Sequence, residues 1–206
     1  MAEGSGGRGR YARAKARSTD RTRPTSRWWL WPAGGAAAVL IALGLFARSG
    51  RNTVGVPAGT QVFAETNHQH VTGEPTYDRT PPAGGPHNAV WLNCGIYDQP
   101  VPNVNAVHSL EHGSVWITYL PSLAVSEVDQ LRSIMQSHYV GPQKYLILSP
   151  YPGLPSPIVA SAWGAQLRLS SVSDPRLIQF IDHFAGGSQG GEPGGRCTGG
   201  IGTPAG

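Results

Sequence analysis

Residues 114–120 read SVWITYL, and this stretch decides the fold. It is rich in β-branched and aromatic residues and ends at Pro121, a pattern typical of a buried β-strand. Other short apolar runs between turn signals predict further strands, with Gly164 as the turn between the last two. These predicted strands are residues 89–93, 145–148, 158–163 and 166–169.

Helical patterns lie between and after these strands. Ser126 is a candidate cap for a helix over residues 127–138, and Ser173 is one for a helix that starts at Asp174-Pro175. A short third helix is expected between Asn103, as its cap, and Gly113. Together these patterns predict an α+β fold: a mostly antiparallel sheet with two or three helices, preceded by one transmembrane helix.

The N-terminal part of the chain has the pattern of a membrane anchor. Residues 28–46 contain no charge and, at 1.5 Å of rise per residue, reach about 28 Å, close to the thickness of the hydrocarbon core. Three tryptophans begin this segment and arginines precede it, which predicts a cytoplasmic N-terminus and an exported C-terminal domain. A cleaved signal peptide and a buried core helix are the alternatives, although Ala47-Arg48-Ser49 is a poor cleavage site.

Charge is divided unevenly along the 206 residues. The first 47 residues carry eight arginine and lysine residues against two acidic ones, whereas the rest carries eight against ten. The excess positive charge therefore belongs to the tail, so nucleic acid is not expected as a partner. The lipid bilayer is the predicted partner, with other envelope proteins as further candidates.

The charge distribution, the uncharged span and the strand and helix patterns together predict how the chain is organised. Five parts are expected: a disordered basic cytoplasmic tail (1–27), a transmembrane helix (28–46), a linker (47–60), an exported α+β domain (61–185) and a Gly-rich C-terminal tail (186–206).

Cys94 and Cys197 are the two cysteines of the chain. An even number of cysteines in an oxidising compartment favours a disulfide, which would also hold the Gly-rich tail. Two unpaired thiols are the alternative. Neither cysteine stands in a CxxC pair, so ligation of a metal by sulfur is not expected.

Five of the seven histidines fall between residues 68 and 112. In an extended segment, His68 and His70 would direct both rings to one side. In the short helix, His108 and His112 would share a face with Glu111 beside them. Imidazoles converging with a carboxylate are typical of a site for a divalent transition metal, zinc or copper. The candidate ligands are His68, His70, His87, His108, Glu111 and His112.

Two other interpretations of these residues stay open. The histidines and Glu111 would also suit a buried hydrogen-bond network that holds a loop rich in proline and glycine, residues 73–86, to the sheet. We call this segment the Pro-rich loop. The string HxxEH also matches an inverted zinc-peptidase motif, in which Glu111 would be the general base. That motif normally lies inside a long helix, whereas here Gly113 and a strand follow at once.

Several strings in the chain resemble the bacterial membrane-anchored proteins of the domain of unknown function 3105 family. They are NHQHV at 67–71, YD at 77–78, PP at 81–82, GPH at 85–87, CGIY at 94–97, HSLEHG at 108–113, SPYPG at 149–153 and AWG at 162–164. The resemblance implies one span followed by an exported domain, and it implies no reaction. The chain departs from the family pattern at Ala83-Gly84-Gly85, where a small hydroxyl residue usually precedes Gly-Pro-His.

The sequence therefore leaves three hypotheses for the exported domain. The first is a membrane-anchored domain that binds a divalent transition metal through its histidines. The second is a metal-dependent hydrolase with Glu111 as base. The third is a purely structural interaction module of the cell envelope.

Overall fold

A computed structural model describes residues 55–138 and 144–205. Within these two ranges the chain forms six strands and three helices. In chain order they are β1 Gln61–Val62, β2 Gly95–Ile96, α1 Asn103–Glu111, β3 Val115–Tyr119, α2 Val125–His138, β4 Leu146–Pro150, β5 Ile158–Ala162, β6 Ala165–Leu169 and α3 Arg176–Phe184.

The predicted α+β fold is confirmed, but the sheet is mixed. Its strand order is β1-β6-β5-β3-β4-β2, in which β4 is parallel to both β3 and β2 and the remaining pairs are antiparallel. The description "mostly antiparallel" missed the parallel pairs. Helix α2 is a crossover connection between β3 and β4, and such a connection returns the chain so that the next strand runs parallel.

The hairpin of β5 and β6 lies where Gly164 predicted it. Ala162 pairs with Ala165, and Gly164 adopts a φ of 68° in the turn between them. A Cβ atom at this position would lie 2.9 Å from the carbonyl oxygen of Phe63. The turn therefore needs glycine for its backbone angle and for the close approach of a neighbouring segment.

Four local predictions are wrong, one of a strand and three of helix caps. Residues 89–93 form no strand: Leu92 makes one isolated bridge with Ile201, and its amide donates to Asn105 O and Ser109 Oγ of helix α1. At Leu92, contacts with α1 therefore outweigh strand propensity.

The three predicted caps do not stand at the N-cap positions. The N-cap of α1 is Pro102 and not Asn103, and that of α3 is Pro175 and not Ser173, both without a side-chain hydrogen bond. Helix α2 begins at Val125, so Ser126 lies inside it.

The sheet has two different faces. Side chains alternate along β3, so Val115 and Ile117 lie in one apolar cluster and Trp116 lies in another. The first cluster includes residues of α2 and α3, and we call this side the aliphatic face. The second includes residues of α1 and both cysteines, and we call it the histidine face.

The Gly-rich segment after α3 lies against the histidine face, and we call residues 186–205 the C-terminal strap. Cys197 forms a disulfide with Cys94, with their Cα atoms 5.2 Å apart. Backbone hydrogen bonds add to it, among them Cys94 N to Cys197 O at 2.8 Å and Ala205 N to Ile96 O at 2.7 Å. The strap is therefore fastened at several points besides the disulfide.

The predicted tail (1–27), the transmembrane helix (28–46) and most of the linker (47–54) lie outside the described residues. Inside the two described ranges, the helices are too short or too polar to cross a membrane.

Candidate metal centre

Helix α1 is buried from Val104 to Glu111. His108, Glu111 and His112, which follows the helix, are only 2–3% exposed. Residues at this spacing share one helix face, so all three side chains point the same way. Charged groups are almost never fully buried without partners, so this face of α1 carries a polar site.

The Pro-rich loop before α1 delivers His87 to this face. His87 is fully buried, and Gly84 and Gly85 before it adopt φ angles of 138° and 103°. A Cβ atom on Gly84 would lie 2.4 Å from Cγ of Glu65. Glycine at these two positions thus suits the positive φ angles and, at Gly84, the close packing.

The segment that contains His68 and His70 runs beside His87. Val71 N donates to His87 O at 2.7 Å and His87 N donates to Gln69 O at 3.0 Å, which makes the segment locally strand-like. The ring of His70 lies 5.0 Å from the ring of His87. The ring of His68 stacks on Trp163 at 4.7 Å and donates from Nδ1 to Oε1 of Glu111. Both rings face the cluster, as the i, i+2 spacing predicted.

Backbone carbonyls fix the tautomers of three buried histidines. Nδ1 lies 2.8 Å from Gly85 O in His87, 2.6 Å from Asn88 O in His108 and 2.7 Å from Arg196 O in His112. A carbonyl only accepts, so each Nδ1 carries the proton and each Nε2 of a neutral ring keeps a lone pair. Histidines that bind metals are commonly oriented in this way.

One pair of buried atoms at the centre lacks a hydrogen bond. His87 Nε2 and Glu111 Oε2 lie 2.8 Å apart. At this distance the two groups form an ion pair if His87 is protonated, but in the neutral ring neither atom has a hydrogen-bond partner. With His87 neutral, two lone pairs face each other in a buried site, an arrangement that is costly unless a cation lies beside them.

His108 is held in its neutral form. Burial lowers its pKa from the usual 6.5 to about 4; the hydrogen bond to Asn88 O opposes this effect, and the neighbouring imidazoles add to it. At neutral pH the Nε2 lone pair of His108 is therefore available to a ligand.

The side chains form two overlapping groups with the spacing of metal ligands. In each group, the candidate donor atoms all lie within 4.8 Å of one another. The inner group is His70, His87, His108 and Glu111, and the outer group is His108, His112 and Glu192. His70 and Glu192 are exposed, and the other members are buried.

The structure therefore brings the six predicted site residues together but divides their roles. Four of them make up the inner group. His112 lies in the outer group, and His68 contacts Glu111 from the side without joining either group. His138 lies at the end of α2, near Ile134 O and outside both groups.

Sequence reasoning missed Glu192. It stands in the C-terminal strap, which the sequence predicted to be a separate tail. Gly190, Gly191 and Gly195 surround it, and a Cβ atom on any of them would lie within 3 Å of Glu111, His68 or His112. Closely spaced glycines often mark a backbone that passes close to other groups, and this was the available signal.

Comparison with known proteins places the chain against a family model. No curated protein and no solved structure matches the chain. The matching model is described as a protein of unknown function (DUF3105), and it covers residues 68–199, from the first clustered histidine to just past Cys197. The match includes both groups of candidate ligands and most of the strap. The chain therefore belongs to the DUF3105 family.

Proposed function

We propose that the domain binds one divalent transition metal ion, zinc or copper, in its inner group. The ligands are Nε2 of His87 and His108, a ring nitrogen of His70, and Oε2 of Glu111. Imidazole with a carboxylate is a donor set that suits these ions. His70 is exposed, so this side of the ion faces solvent.

The unpaired atoms of His87 and Glu111 carry the proposal. Nδ1 of His87 donates to Gly85 O, so Nε2 has no proton in the neutral ring. Zinc binds nitrogen and oxygen at about 2.0–2.2 Å in tetrahedral geometry, so two of its ligands lie roughly 3.3–3.6 Å apart. The observed separation of these two atoms is 2.8 Å, so they would move apart by about half an ångström around an ion. An ion beside them would compensate both lone pairs at once.

The position of Glu111 favours a ligand over a general base. Its side chain is only 3% exposed, and its two oxygens face His68 and His87. A base that activates water needs a carboxylate oxygen within reach of that water. The metal-dependent hydrolase is therefore the weaker hypothesis. A purely structural network would need a protonated His87 paired with Glu111, because in the neutral ring these two central atoms have no hydrogen bonds.

We also propose that this metal-binding domain is exported and anchored to the membrane by residues 28–46. The uncharged span, the arginines before it and the Cys94–Cys197 disulfide support this arrangement. Protease added to intact cells should digest the part after Arg51 and spare the N-terminal tail. A protected C-terminal part would contradict the proposal.

Elemental analysis of the purified full-length protein tests metal binding. We expect one zinc or copper ion per chain, and loss of that ion in His87→Ala, His108→Ala and Glu111→Gln. Excess metal at about 100 times its Kd should stabilise the unsubstituted protein by about 2.7 kcal/mol and the variants by much less. His138→Ala, outside both groups, is the matched control and should retain the ion.

Circular dichroism separates loss of the ion from loss of the fold. A folded, unsubstituted protein without stoichiometric metal would refute the proposal. A Glu111→Gln variant that keeps its ion at full affinity would refute the ligand set.

A further inference from the structure

The outer group gives the metal centre a second position. Oε2 of Glu192 lies 3.3 Å from Nε2 of His112 and 3.9 Å from Nε2 of His108. The rings of His108 and His112 are 4.5 Å apart. Two imidazole lone pairs and a carboxylate thus converge, with the same donor chemistry as the inner group.

The strap holds Glu192 in place through its backbone. Glu192 N donates to Glu111 O, and Gly194 N donates to His112 O, both at 3.3 Å. Gly195 lies against the ring of His112, where a Cβ atom would approach to 2.4 Å. The position of this carboxylate is therefore set by contacts with the end of α1.

The strap also orients His112. The carbonyl of Arg196 accepts the Nδ1 proton of His112 at 2.7 Å, which leaves its Nε2 as the atom that faces Glu192. Cys197, the next residue, joins the strap to Cys94. One segment thus supplies the carboxylate of the outer group and fixes the tautomer of one of its imidazoles.

His108 belongs to both groups. Its Nδ1 is committed to Asn88 O, so Nε2 is its one free donor atom, and that atom binds one ion at a time. The inner and outer positions are therefore alternatives for a single ion. They also differ in their exposed member: it is the imidazole of His70 in the inner group and the carboxylate of Glu192, 54% exposed, in the outer group.

We propose that the outer group is an entry position, at which a divalent transition metal ion is first captured by Glu192 and His112 and is then passed through His108 to the inner group. This inference rests on the proposed function, because an inner site must exist to receive the ion. An exposed carboxylate attracts the hydrated cation, and each step replaces only some of its ligands. The carboxylate of Glu192 should therefore capture the cation more readily than the imidazole of His70, the exposed member of the inner group.

The test is the rate at which metal-free, full-length protein takes up Co²⁺, followed by the absorbance of the protein-bound ion. We expect Glu192→Gln and His112→Gln to slow loading by about tenfold or more and to leave the final amplitude at one ion per chain. Glu127→Gln, in the first turn of α2 and outside both groups, is the matched control and should load at the unsubstituted rate.

The loading rate tests the entry position, and the final amount of bound metal tests the inner site. Unchanged loading rates in both variants, or a slowing that Glu127→Gln shares, would overturn the entry position while the inner site stands. If the unsubstituted protein takes up none of Co²⁺, Zn²⁺ and Cu²⁺, the inner site itself is refuted before any variant is compared, and the entry position falls with it.

Discussion

The two faces of the sheet are stabilised in different ways. On the aliphatic face, α2 and α3 cover the sheet with fully buried apolar side chains such as Leu131, Met135 and Phe180. On the histidine face, the covering elements are α1, the Pro-rich loop and the strap, and buried polar atoms of His87 and Glu111 lack hydrogen bonds. Burial of apolar area stabilises the first face, whereas the unpaired atoms destabilise the second.

This contrast extends into the sheet itself. Along β3 and β4, Ile117 and Leu148 point to the aliphatic face, whereas the neighbouring side chains of Trp116 and Ser149 form a buried hydrogen bond of 3.0 Å. One sheet thus serves as apolar core on one side and polar scaffold on the other. The apolar burial on the aliphatic face can thus offset the free energy lost at the unpaired polar atoms of the opposite face.

The largest expected effect is on the aliphatic face. Phe180→Ala should lower the free energy of unfolding by about 3–5 kcal/mol, because it leaves a cavity under α3 where Phe180 is fully buried. Denaturant titrations with and without metal measure the effect. The stabilisation that metal provides should equal that of the unsubstituted protein. If Phe180→Ala removes the metal response as well, the two faces are not independent.

Much of the aliphatic face could be predicted from the sequence, because periodicity within one element defines it. The spacing of Leu177, Ile178, Ile181 and Phe184 predicts one buried stripe on α3. Leu177, Ile181 and Phe184 are buried, whereas Ile178 is only partly buried. Phe180 was not included in that stripe and is fully buried too. The parallel pairing of β4 was not predicted, because it depends on the path of the α2 crossover and not on the composition of the strands.

The histidine face could be predicted only in part. Local spacing placed His68 with His70 and His108 with His112, and the structure confirms both pairs. Their convergence with His87 and Glu192 depends on contacts between segments far apart in sequence, which no local pattern contains. The carbonyls that fix the ring tautomers belong to loop residues such as Gly85 and Arg196, so residue type could not reveal them.

The disulfide should give the next largest effect, on the histidine face. Cys94 and Cys197 are 103 residues apart, and replacing both by alanine should lower the free energy of unfolding by about 2–4 kcal/mol, mainly by freeing the unfolded chain. The strap should also loosen at Arg196, so that Co²⁺ loads more slowly at an unchanged final amplitude. Stability and loading rate equal to those of the unsubstituted protein would show that the strap's other hydrogen bonds suffice.

The smallest of these effects concerns one methyl group under the strap. A Cβ atom on Gly190 would lie 2.0 Å from the carbonyl oxygen of Glu111, whereas one on Gly55 would meet nothing within 4 Å. Gly190→Ala should therefore lower the free energy of unfolding by about 1–3 kcal/mol, because the added methyl group overpacks this contact. It should also weaken metal binding, because the strap must move away from the end of α1.

Gly55→Ala is the control and should change the free energy of unfolding by less than about 1 kcal/mol. Thermal unfolding of both variants with and without metal makes the comparison. If Gly190→Ala lowers the free energy of unfolding no more than Gly55→Ala does, the strap is not tightly packed against α1. The histidine face would then be held together by the Pro-rich loop and the disulfide alone.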